Sequence, residues 1–297
     1  MAVQTILGGA NVNDDLTGPG AGDYLVYGFS GNDTVEISFL NRSTVYGGEG
    51  NDSVDLYSGI HVVYGGAGND TMEIDSGSAT ILGGDGSDDI YWGGIGNKYI
   101  DGGTGDDTIE AGAGLTTIYG GEGNDSVYAT SGSAFVDLGA GDDSFKLYDG
   151  SYTILGGDGN DWIISDLSND NVTGDFDLGA GDDTLVLNEG VHTVTAGAGN
   201  DSVGLQDGVA IVYGNQGNDT VEYNWGTITV YGGQGNDDIY AAGGSALVYG
   251  NTGDDTISTS WGVATIYAGQ GDDMVTLSGP QVYVAGGVGN DTINFTN

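Results

Sequence analysis

Fifteen copies of one nine-residue pattern run through this chain of 297 residues, and that repetition constrains its fold more than any other feature. The clearest copies are GGEGNDSVD at Gly47, GGAGNDTME at Gly65, GGTGDDTIE at Gly102 and GGEGNDSVY at Gly120. They begin at GFSGNDTVE (Gly28) and end at GGVGNDTIN (Gly286). Successive copies start 19, 18, 18, 19, 18, 18, 18, 22 and then six times 18 residues apart. The sixth residue is aspartate in every copy and the eighth is always apolar, from Val35 and Val54 to Val275 and Ile293. The remaining half of each period reads x-x-x-G-x-x-x-φ-x, where φ is Val45, Val63, Ile81, Ile118, Val230 or an equivalent, with Phe176 as a bulky variant.

Alternation around β-branched residues marks strands with one buried face. Each period therefore reads strand, turn, strand, turn. Two strands of about four residues cannot bury a face alone, so each unit must stack on the next. The expected fold is all-β: a parallel β-solenoid of about 16 coils of ~18 residues, with one acidic turn per coil. At about 4.8 Å per coil this would make a rod roughly 75–80 Å long. No linker or composition shift interrupts residues 1–297, which reads as a single solenoid domain with a degenerate first coil at 1–27 and regular repeats at 28–297.

Composition narrows the function. There are 61 glycines but only two prolines (Pro19, Pro280), which rules out collagen. Forty-four acidic residues face three basic ones (Arg42, Lys98, Lys146), a formal charge of −41. Such a polyanion repels phosphate backbones and acidic lipid, so nucleic acid and membrane insertion are not expected. No apolar run approaches the ~18 residues of a membrane span. Without cysteine there is no disulfide and no thiolate metal site. The opening MAVQTILGGANVNDDL has neither a basic nor an apolar signal-peptide region, which points to leaderless export.

The pattern GGxGxDxUx resembles the calcium-binding nonapeptide of the RTX (repeats-in-toxin, haemolysin-type) family, and the resemblance covers essentially the whole chain. It implies an RTX-like β-roll in which six residues form a turn and three a short strand. It also implies calcium between successive turns, held by main-chain carbonyls and the sixth-position carboxylates. Here those are Asp33, Asp52, Asp70, Asp88, Asp107, Asp125, Asp143, Asp161, Asp183, Asp201, Asp219, Asp237, Asp255, Asp273 and Asp291. The physical chemistry agrees. Stacked carboxylates about 5 Å apart repel by ~3 kcal/mol per pair at an effective dielectric near 20. A hard divalent cation with six to eight oxygen ligands removes that repulsion, and magnesium, with its strict octahedron, suits a carbonyl-rich turn less well. One Ca2+ per turn would bring −41 to about −11. The alternative is that the aspartates are solvated turn formers.

Where the family tends to carry the motif on both edges, this chain carries it on one. The opposite edge shows GGIGNKYID at Gly93, with Lys98 in the ligand place, and AGAGLTTIY at Ala111 without the aspartate. The expectation is a single column of about 14–15 calcium ions, with the second edge closed by glycine turns.

Other features have simpler readings. Tyr27, Tyr46, Tyr64, Tyr119, Tyr213, Tyr231, Tyr249 and Tyr267 precede the acidic turn and should form a ladder, read as internal aromatic stacking in preference to a lateral contact or a face for a cell-surface glycan. The Thr/Ser row at position seven is interrupted by Asp89, Trp162, Asp238 and Met274, and the third turn position varies, which weighs against ice binding. His61 and His192 occupy equivalent strand positions. No G-x-S-x-G, H-E-x-x-H or phosphate loop occurs, and no enzyme is expected. Asn-Asp-Thr/Ser triplets lie inside the acidic turns and are not read as glycan acceptors.

Placed head to tail, two copies would space Gly286 and the next Gly8 19 residues apart, within the scatter of the period. This suggests self-association into an open filament, with Asp291 and Asp14 or Asp15 at the junction. The expected function is a calcium-dependent extracellular structural protein, exported by type I secretion, folding in external calcium and assembling into a surface filament or layer. The alternatives are an RTX calcium-folding module cut from a larger secreted enzyme or toxin, and an adhesin spacer.

Overall fold

The computed structural model describes residues 3–18, 20–38, 41–166, 171–279 and 281–296. Pro19, Pro280 and the junction residues Met1 and Asn297 lie outside them, as do 167–170 in the long interval between Gly156 and Leu178. The described residues form about sixteen coils of a parallel β-solenoid containing strands but no helix. Tertiary contacts divide the chain into two compact units, Met1–Leu147 and Tyr148–Asn297.

In the first unit, the short strands Thr34–Ile37, Ser126–Ala129 and their equivalents carry positions seven to ten of each repeat. They pair in parallel one coil apart, as in Thr108↔Ser126 and Ile109↔Val127. Longer strands such as Asp23–Ser30 and Gly114–Glu122 form the second ladder. These exceed the four residues expected, because the first three turn residues stay in the ladder: Gly121 still faces Gly139, and Glu122 faces Ala140. In Ser53–Ala67 and Thr71–Asp85 the second-edge turn is also paired, Gly59 opposite Gly77, so each runs 15 residues unbroken. Equal coil length permits this, since backbone stacks on identical backbone. The degenerate first coil follows the same plan, Val3–Leu7 pairing with Asp23–Tyr27 and Asp15–Thr17 with Thr34–Glu36.

The second unit repeats the arrangement from Gly150–Asp158 onward. Thr227–Gln234 pairs with Ser245–Thr252, and Thr220–Tyr223 with Asp238–Ala241, in constant register.

Inside each unit the alternating residues close on one another. The eighth-position residues Val35, Val54, Ile90, Ile109, Leu185 and Ile257 are fully buried, as are Val45, Val63, Ile81, Ile154, Phe176 and Val230 from the longer strands. Each such side chain contributes roughly 1.5–3 kcal/mol when withdrawn from water. Valine and isoleucine suit these columns because their fixed rotamers stack on themselves at every coil.

The turns depend on left-handed backbone. Position four is glycine in all fifteen copies and has positive φ in each, from Gly31 (124°) to Gly289 (151°). Position two also has positive φ, and there Asn215 (75°), Asn251 (77°) and Phe29 (78°) replace glycine. Asparagine tolerates this region. Phe29 is bulky, half exposed and stacked on Tyr27, with ring centres 5.9 Å apart.

Candidate calcium column

The sixth-position aspartates face inward at the end of each acidic turn. From Asp33 to Asp273 all fourteen are buried, while Asp291, in the last coil, is half-buried. They form one ladder in each unit. The Asp33 N–H donates to Asp52 Oδ1 at 2.7 Å, Asp52 to Asp70 at 2.7 Å, and so on to Asp125 and Asp143 at 2.6 Å. In the second unit the same bond runs from Asp161–Asp183 (2.7 Å) to Asp273–Asp291 (3.2 Å). One carboxylate oxygen of each is thereby fixed by the preceding coil.

The other oxygen is not so placed. Oδ2 of Asp33, Asp52, Asp70, Asp88, Asp107, Asp125, Asp183, Asp201, Asp219, Asp237, Asp255 and Asp273 is buried and accepts no hydrogen bond. It lies against the first residue of its own turn. A Cβ built on the first glycine of a turn would touch both that Oδ2 and the carbonyl of the next coil's first residue: Asp70 Oδ2 and Gly83 O at Gly65, Asp237 Oδ2 and Gly250 O at Gly232. A buried carboxylate oxygen that accepts no hydrogen bond is an arrangement that a cation satisfies and a neutral interior does not.

Burial pushes these carboxyls up, most strongly at Asp70, Asp107, Asp183 and Asp237, each to about 7. The backbone N–H from the preceding coil opposes the shift, and neighbouring aspartates of the column reinforce it. Asp88, Asp125, Asp201 and Asp255 rise to about 6 for the same reasons. A metal-free folded chain thus binds more protons than the unfolded chain, whose carboxyls titrate near 3.8. That stabilisation is full below about pH 4 and is lost as pH rises to about 7. In chelator, lowering the pH from 7.5 to 5.5, still above the isoelectric point of 4.1, is expected to restore β-structure. Far-ultraviolet circular dichroism reads this directly, and a flat profile over that range would contradict it.

Among the described residues no three acidic or histidine side chains converge as a metal cluster. The donor set is instead one carboxylate per coil together with main-chain carbonyls. Calcium accepts that mixture, since it takes six to eight oxygens of either kind in loose geometry. The residues fit the ion. The column and its carbonyls would hold it, and when bound it supplies the positive charge that buried carboxylates need.

The structure chooses between Asp14 and Asp15, and adds one feature that the sequence reading lacked. Asp14 joins the column: its N–H donates to Asp33 Oδ1 at 2.8 Å, while its own Oδ2 accepts from Gly9 N–H. Asp15 points outward. Position five forms a second, exposed ladder of the opposite sense, in which Asn51 N–H donates to Asn32 Oδ1 and Asn69 N–H to Asn51 Oδ1, both at 3.0 Å. It continues through Ser87, Asp106, Asn124 and Asp142, and again from Asn160 to Asn290.

The tyrosines behave as a packing feature. Tyr27, Tyr46 and Tyr64 stack at 5.0 and 4.8 Å with planes 5° and 1° apart, and Tyr213, Tyr231, Tyr249 and Tyr267 do so at 4.9–5.1 Å. Tyr119 stands apart, tilted against Tyr99 and Phe135. Ring faces within a ladder cover one another, leaving edges for any outside partner. His61 and His192 are buried, and burial pushes both down to about 4, so they are neutral imidazoles. His61 Nδ1 lies 2.7 Å from Ser43 Oγ in the interior, closed to solvent.

A parallel β-solenoid with a glycine-rich acidic turn in every coil defines a β-roll of the calcium-binding kind. The model of the RTX calcium-binding nonapeptide repeat (four copies) matches residues 42–60, 46–81, 82–117, 92–127, 116–145, 176–203, 211–227, 229–248 and 242–275, well over half of the chain. The chain belongs to that family. Its fold is similar to that of a hyperactive, Ca2+-dependent, beta-helical antifreeze protein from an Antarctic bacterium, known from a crystal structure. The two share 22% identity at a TM-score of 0.51, over 95% of this chain and 84% of the other. No curated protein sequence matches the chain.

Proposed function

We propose that this chain is a calcium-structured extracellular scaffold: a β-roll whose acidic turns bind one ion per coil and whose product is a stiff surface, with no reaction catalysed. The observation that carries this reading is the column of buried aspartates, a dozen of which hold an Oδ2 atom that accepts no hydrogen bond. Asp33 through Asp291 are the proposed ligands, with Asp14 added. Millimolar external calcium would fold the chain after export, because self-repulsion from 41 net negative charges opposes folding where calcium is scarce. Titration calorimetry tests this. Calcium should bind with a large folding heat, and magnesium at equal concentration should not reproduce it; equal responses to the two ions would count against the reading. Ice binding, named for the antifreeze protein, has less support here, because the third turn position presents Glu49, Ala67, Asp85, Gln216 and Val288 in place of one repeated residue.

Head-to-tail self-association is the second reading. Ile293 and Phe295 continue the interior columns of Val275 and Leu277, yet are 39% and 76% exposed. A second copy would cover that edge, as would further coils of a longer chain. Electron microscopy with calcium and after chelation separates the outcomes. Thin fibres present only with calcium support assembly, and single short rods in calcium rule it out for this chain.

A further inference from the structure

The edge opposite the acidic column closes on glycine, with Gly59, Gly77, Gly96, Gly114 and Gly132 all at positive φ. At one place it carries the acidic-edge motif itself, Gly93-Gly94-Ile95-Gly96-Asn97-Lys98, with an ammonium where the sixth-position carboxylate would be. Lys98 is only 4% exposed. Its Nζ donates to Gly96 O of its own turn at 3.4 Å, and to Gly112 O and Ala113 O of the next coil's turn at 3.0 and 2.6 Å. It also lies 5.2 Å from the ring centre of the buried Trp92.

The ammonium thus sits between two successive turns, held by main-chain carbonyls and an aromatic face, with no carboxylate among its hydrogen-bond acceptors. Gly112 O and Ala113 O receive no backbone N–H among the described residues. At the corresponding place in two coils of the second unit, Asn188 O and Gln206 O take the N–H of Asp207 and of Trp225 at 3.1 and 3.0 Å instead. Lys98 replaces that missing donor. Both flanking residues of its inward column, Ala79 and Thr116, are smaller, which leaves room for the long side chain.

We propose that the turns at Gly93–Lys98 and Gly112–Gly114 form a second-edge cation site whose ion is built into the chain, the Lys98 ammonium taking the place a calcium ion takes between acidic turns. A carboxylate turn needs an ion from solution, whereas an ammonium turn is filled at any calcium concentration. This pins the second edge of the first unit permanently. The comparison with calcium rests on the function proposed above; the carbonyl-binding role of Lys98 does not.

Two substitutions test it, with melting temperatures taken at the lowest calcium that keeps the wild type folded and at tenfold more. Lys98→Met keeps the apolar stem and removes the cation. It should melt lower than the wild type by about 5 °C at both concentrations, with the calcium-induced shift unchanged. Lys98→Asp completes GGIGND and exchanges the built-in ion for an external one. Its calcium-induced shift should exceed that of the wild type, and it should bind one further calcium per chain. A Lys98→Met protein as stable as the wild type would overturn the proposal. So would a Lys98→Asp protein whose calcium shift and ion count equal the wild type's. If the wild type itself showed no calcium shift, the scaffold reading would fail, while the Lys98→Met loss would still report the built-in cation.

Discussion

Chelating calcium at neutral pH is expected to abolish the β-sheet signal of this protein, and restoring calcium to recover it. The cause is local and multiplied. Each interval of the column buries a carboxylate, and burial already pushes Asp70, Asp107, Asp183 and Asp237 up to about 7. Uncompensated, one such carboxylate costs several kcal/mol, and a domain has only about 5–15 kcal/mol of net stability. A dozen such carboxylates cannot persist ionised without a counter-ion. Loss should be cooperative, because each coil is stabilised mainly by its neighbours. Circular dichroism and size-exclusion chromatography, run with calcium and with chelator, check it. A chain that keeps full sheet signal in chelator at pH 7.5 would show that the column is stable without metal.

The second large effect is expected from the fourth turn position. Gly123→Val places a β-branched residue at φ 123°, with its Cβ against Gly105 O of the preceding coil. Positive φ costs a non-glycine residue about 1–3 kcal/mol, and a β-branched one more, before the clash with the neighbouring carbonyl is counted. Loss of at least about 3 kcal/mol should follow, with new protease cleavage near residue 123. Gly204→Val is the control. Gly204 lies on a strand whose register neighbours are Val186 and Glu222, and an added Cβ would meet nothing closer than 3.7 Å. That change should leave stability unaltered or raise it, since glycine weakens strands. Equal losses in urea unfolding from the two substitutions would contradict the argument.

Much of this was legible in the sequence because a solenoid writes its geometry once per period. The aspartate at position six, the apolar residue at position eight and the Val45–Val63–Ile81 series show which columns face inward, and the structure buries them there. Periodicity does not reveal hydrogen-bond direction. Position five varies among Asn, Asp and Ser, so it reads as a free solvent position; its members share a short side chain with one acceptor, which suffices for the ladder from Asn32 to Asn51 and beyond. The choice between Asp14 and Asp15 was hidden by the extra residues of GGANVNDDL, which break the spacing while the chain still brings the Asp14 N–H to Asp33. The reach of Lys98 to Gly112 and Ala113 was equally unreadable, because it depends on which carbonyls the neighbouring turn leaves without donors.

The most direct test of the central claim is a count of ions. Protein equilibrated in millimolar calcium, passed through a desalting column in the same buffer and analysed by atomic emission, should carry calcium in proportion to its acidic turns, about 14–15 ions per chain. A value of one or two would contradict the account, and would mean that the aspartate column is held by protons and backbone alone.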